Sequence, residues 1–148
     1  MTDAAPTEAD VARRIVEGEV GEQVTTERVA AAGQQVCVRL YRHLGRWVGI
    51  DGCAVLIDRA LHEVSATRPW LDDVRSRART LPHLDHLETS LQGRPAPEGM
   101  EAIVSLLTVF IQLLGAAIGL DLAQRLVQDA WLDEVRRPPT RESKRHDW

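Results

Sequence analysis

The chain has 148 residues, a formal charge of −4 and few aromatic residues: four Trp, one Tyr and one Phe. That length suits one domain with a core of its own, and the acidic balance excludes a general electrostatic affinity for nucleic acid. With so few aromatic side chains the core must be Leu, Val, Ile and Ala, which suits helix-on-helix packing.

Residues 1–6 read as a polar lead without the basic and apolar regions of a signal peptide. Thr7 and Asp10 have the spacing of a capping box. Val11, Ile15 and Val16 then give one apolar face to a short helix that Gly18 and Gly21 are expected to end. Thr25 and Thr26 are the next cap candidates, with Glu27 in a first turn where the helix dipole favours it.

From Glu27 to Val48 the residues Val29, Val36, Leu40, Leu44 and Trp47 recur at helical spacing. Arg39, Arg42 and Arg46 share the other face. Gly49-Ile50-Asp51 breaks this helix, and Asp51 is expected to cap a second one carrying Val55, Leu56, Ala60, Leu61 and Val64. Pro69 ends it, because the residue before a proline avoids the α region.

Residues 70–97 are least regular, with short helices expected at Trp70-Leu71-Val74 and around Leu84, Leu87 and Leu91. Gly93, Pro95 and Pro97 form a break. Glu98 opens a long apolar helix to about Ile118. Gly119-Leu120-Asp121 breaks it, and Asp121 is expected to cap a last helix with Leu122, Leu126, Val127, Ala130 and Trp131 on one side. Pro138-Pro139 stops it. Residues 136–148 set five basic residues against Glu142 and Asp147, which leaves +3 on a tail expected to be disordered and −7 on residues 1–135.

The most informative feature is internal. Residues 44–60, LGRWVGIDGCAVLIDRA, align without a gap with residues 114–130, LGAAIGLDLAQRLVQDA. Leu44, Gly45, Gly49, Asp51, Leu56 and Ala60 match Leu114, Gly115, Gly119, Asp121, Leu126 and Ala130. The glycines sit where a helix end favours a left-handed residue, Ile50 and Leu120 can tuck under the turn, and the aspartates can accept from the N–H groups of the next helix. The expected fold is all-α: an antiparallel bundle of four main helices made from two pseudo-repeated helix–Gly-x-Asp–helix hairpins, at about 27–66 and 98–135, plus short helices. It forms a single domain over 1–135.

Ala102 to Leu120 holds no charge and is long enough to span a bilayer. A buried core helix is the preferred reading, because Glu98, Glu101 and Asp121 flank the stretch in place of basic anchors, and its Gly115-xxx-Gly119 recurs as Gly45-xxx-Gly49 in a helix that carries arginines. His83 and His86 lie three residues apart and are the metal candidates, but further ligands at a recognisable spacing are missing, so no metal or cofactor is expected. Cys37 and Cys53 lack CxxC spacing and read as core thiols of a reducing compartment. Neither a nucleophile elbow nor a phosphate loop is present.

These features point to a non-catalytic, cytoplasmic interaction or regulatory module whose partner is another protein, with homodimerisation through a spare apolar face of helix 98–118 and without nucleic acid. The expected partner-binding residues are Arg39, Arg42, Arg46 and Trp148, since Trp and Arg anchor interfaces; Trp70 is a further anchor candidate, and Trp131, on a helix face, reads first as a core residue. The alternatives are a membrane-associated protein using residues 102–120, or a bundle binding a small molecule or metal in its interior.

Overall fold

The computed structural model describes residues 7–77, 84 and 87–136, with the backbone alone at 77 and 132–136. Those residues form helices α1 (Glu8–Val20), α2 (Thr26–Val48), α3 (Ile50–Val64), α4 (Trp70–Arg77), α5 (Leu87–Leu91), α6 (Ala96–Ile118) and α7 (Leu120–Arg136), and contain no strand. The protein is all-α.

The local chemistry explains most boundaries. Thr7 accepts from the Asp10 N–H and Asp10 accepts from the Thr7 N–H, both at 3.1 Å, which completes the capping box of α1. Those bonds hold the Asp10 carboxyl below its usual value. Gly18 does not end α1; the helix runs through it to Val20 and stops at Gly21, whose φ is +82°. Thr25 caps α2 through the Arg28 N–H at 3.2 Å. Pro97 belongs to the first turn of α6, where a missing N–H costs nothing.

One residue joins α2 to α3, and one joins α6 to α7. Gly49 closes α2 with an N–H bond to Gly45 O at 2.7 Å, and its own carbonyl accepts from the Cys53 N–H at 3.0 Å. Gly119 repeats this with Gly115 O at 2.7 Å and the Ala123 N–H at 2.9 Å. Both combine positive φ (82° and 103°) with extended ψ (151° and 134°), a region beyond the left-handed helical well and essentially confined to glycine. The expected capping role of Asp51 is therefore corrected: Gly49 is the N-cap, without a side-chain cap bond, and Asp51 lies exposed in the first turn of α3. A single-residue link starts the next helix too early for that carboxylate to reach back. Asp121 likewise falls inside the first turn of α7, paired with Arg125 at 3.0 Å.

Ile50 and Leu120 fold back onto Gly45 and Gly115. A Cβ on Gly45 would lie 3.3 Å from Ile50 Cγ1, and one on Gly115 would lie 2.8 Å from Leu120 Cδ1. The shared Gly-xxx-Gly spacing thus serves both turns.

Helices α2 and α6 run side by side in the same direction. A Cβ on Gly99 would meet Val29 at 3.3 Å, and one turn later a Cβ on Gly33 would meet Ile103 at 2.9 Å. Further along, Leu40 and Phe110 border the same small internal void. Ala102, Ile103, Val104, Leu106, Leu107, Phe110, Ile111 and Leu114 are buried, so α6 is the central element of the core. It is also the one described helix long and apolar enough to cross a membrane. Helix α1 joins the core as a full member through Val11, Ala12, Ile15, Val16 and Val20. Arg13 grips Glu101 of α6 with two bonds of 2.7 and 2.8 Å.

Candidate binding surfaces

The three arginines expected to form one surface are separated by the fold. Arg39 turns into a groove between α1, α2 and α7, where its Nη1 lies 2.7 Å from Glu19 Oε2 and both side chains are about 15% exposed. The Arg39 guanidinium sits over the Trp131 ring, 5.3 Å from its centroid. Trp131 donates its indole N–H to the same Glu19 oxygen at 3.0 Å. Arg42 and Arg46 remain exposed on the surface. Trp148, His83 and His86 lie outside the described residues, as does the basic tail beyond Arg136.

Val11, Arg14, Ile15 and Gly18 form the α1 wall of that groove, and Gln128 with Trp131 forms the α7 wall, enclosing a volume of about 520 Å³. Arg14 is exposed at its rim. A Cβ on Gly18 would meet nothing within 4 Å. Missing side-chain bulk at Gly18 therefore leaves the groove open.

A second surface lies at one end of the helical fold. Because α2 and α6 are parallel, the turns at Gly49 and Gly119 face the same end. Trp47 (65% exposed), Ile50 and Leu120 flank those turns and are left in water, and Val55 and Leu122 are exposed on other faces in the opening turns of α3 and α7. Trp47 stands two turns beyond Leu40, Ile50 two turns before Ile57, and Leu120 two turns before Val127, all buried positions of the same helix faces. The apolar stripes of three helices run past the last core layer. Ionised groups of both signs stand among them: Arg46, Asp51 and the Asp121–Arg125 pair.

Catalytic chemistry finds no constellation among the described residues. No group of three His, Cys, Asp or Glu side chains there could hold a metal ion. Cys37 and Cys53 are free and buried. Burial pushes both thiols up, Cys53 to about 12, so neither is a thiolate near neutral pH. Trp70 is occupied internally, with Arg94 stacked 4.7 Å from its ring centroid. Sequence periodicity missed the groove, whose only local signal is a glycine inside an amphipathic helix, and it placed Trp47, Val55 and Leu122 with apolar helix faces.

No protein-family model matches the chain, no curated protein matches its sequence, and no solved structure matches its fold. The fold defines the class, an all-α helical protein, and a fold of this class does not by itself carry a function.

Proposed function

We propose that this chain is a non-catalytic helical interaction module, acting inside the cell, that associates with a second copy of itself through the bundle end formed by the turns at Gly49 and Gly119. The observation that carries the proposal is the exposure of Trp47, Ile50 and Leu120 beside the turns at Gly49 and Gly119, with Val55 and Leu122 exposed in the opening turns that follow. Apolar surface of this kind is the usual mark of an interaction site. Trp47 is the residue type most enriched where interfaces concentrate their energy.

Charges of both signs around the patch favour a protein over a lipid surface. An anionic membrane would select basic residues alone, whereas a two-fold pairing lets Arg46 of one copy approach Asp51 or Asp121 of the other. In this proposal the two halves are copies of one helix–Gly–helix unit. Their matched turns, with the same hydrogen bonds at Gly49 and Gly119, support that duplication. Free, buried Cys37 and Cys53 support a reducing compartment.

A single cysteine introduced at Val55 tests the pairing, because both native thiols are buried. The Val55→Cys protein should form a disulfide-linked dimer on mild oxidation, while a control at exposed Glu22 should not. Equal slow cross-linking at both positions would count against a specific end-to-end contact.

A further inference from the structure

The groove between α1, α2 and α7 is separate from the bundle end, and its chemistry selects a different kind of occupant. We infer that it is a binding site for a small amphipathic anion: a flat apolar body carrying one carboxylate or equivalent acid.

Three observations carry the assignment. The volume of about 520 Å³ falls within the roughly 300–1,000 Å³ of small-ligand pockets. Val11, Ile15 and the Trp131 indole provide apolar and aromatic wall, which suits a ring-bearing body. Among the described residues the ionised lining is Arg14, Arg39 and Glu19, a net positive set. Glu19 Oε2 already receives both Arg39 and the Trp131 indole. Arg14 makes neither a hydrogen bond nor an ion pair with the described residues; Asp10, one turn earlier on α1, interacts with it only through space. The acid of a ligand therefore has a cation waiting at the rim.

Position 18 adds the reason the site is open. Arg14 and Gly18 are one helical turn apart on the same face of α1. A helix interior disfavours glycine, yet nothing packs against the Gly18 Cα that a side chain would disturb. Any larger residue there would project into the space the ligand needs.

The test uses 1-naphthaleneacetate as the anionic probe and 1-naphthylmethylamine as its cationic counterpart, read by the Trp131 indole N–H resonance. The acid should shift that resonance in a saturable, one-to-one manner, and the amine should leave it in place. Gly18→Leu should weaken the acid at least tenfold while keeping the helical circular dichroism. Arg14→Glu, on an exposed side chain, should weaken it at least fivefold. Trp47→Glu at the bundle end should change nothing, which separates groove binding from adsorption to exposed apolar surface. Absence of a Trp131 shift at millimolar acid, equal binding of acid and amine, or full binding by a folded Gly18→Leu protein would each overturn the assignment.

Discussion

Trp131 donates its indole N–H to Glu19 at 3.0 Å across 112 residues of sequence, and that bond fixes the last helix against the first. The same oxygen holds Arg39 of α2, so one carboxylate joins three helices. Trp131→Phe keeps a ring beneath Arg39 and removes only the donor; it should cost about 1 kcal/mol. Glu19→Ala removes the carboxylate 2.7 Å from a largely buried guanidinium and should cost roughly 3 kcal/mol. Urea unfolding of the two variants checks the order. Equal midpoints for Glu19→Ala and the wild type would mean the trio contributes nothing to docking α7.

Gly45 and Gly115 occupy matching positions but have different room. A Cβ on Gly115 would meet Leu120 Cα at 3.0 Å as well as Cδ1 at 2.8 Å, and a backbone atom has little freedom to retreat. On Gly45 the nearest atom is the flexible Cγ1 of Ile50 at 3.3 Å. Gly115→Ala should destabilise by about 1–3 kcal/mol through overpacking. In Gly45→Ala the gain in helix propensity, about 1 kcal/mol, should offset the contact. Thermal melts of the two proteins should therefore move apart.

Gly18 and Gly119 make the complementary contrast. Gly119, with φ at +103°, holds a backbone conformation that other residues enter only with strain of about 1–3 kcal/mol. Gly18 sits in a helix with open space around it. Gly119→Ala should lower the melting temperature, and Gly18→Ala should raise it by the helix propensity of alanine, up to about 1 kcal/mol.

Alkaline pH should destabilise the fold through its thiols. Burial raises Cys37 and Cys53 above their ordinary value, Cys53 to about 12, so the folded state holds their protons more tightly than the unfolded chain does. That contribution is complete below the unfolded thiol value near 8.5 and is lost as pH climbs from there toward the folded value. Urea midpoints should fall between about pH 8.5 and 11, and Cys37→Ala with Cys53→Ala should flatten the decline relative to their own neutral stability. On the acid side, Arg13 holds the Glu101 carboxyl low, so the stability from that pair is present above the ordinary carboxylate range and fades as pH falls through the lowered value.

Sequence periodicity revealed the inward face of α2 and much of that of α7, because Leu40, Leu44 and Val127 repeat at helical spacing and are buried, but on α3 it took Val55 and Leu56 for that face, where Cys53 and Ile57 are the buried residues and Val55 is exposed. It could not reveal how far along its axis each helix is covered. Trp47 continues the Leu40–Leu44 stripe and still stands 65% exposed, in the last turn of α2 beside Gly49. The Arg39–Arg42–Arg46 stripe illustrates the same limit from the polar side. Only Arg39 lies level with Glu19 and Trp131, and that alignment depends on contacts between residues far apart in sequence. The Gly-x-Asp turns were legible at their glycines, whose backbone requirement is local. They were misleading at Asp51, because spacing alone does not distinguish a cap from a first-turn residue.

The central claim is self-association through the bundle end, and light scattering on the full chain across a concentration series tests it most directly. The wild type should show a dimer mass that falls to monomer on dilution, and Trp47→Glu with Leu120→Glu should stay monomeric with unchanged helical circular dichroism. A wild-type monomer at every concentration, or a dimer that survives both charges, would contradict the account.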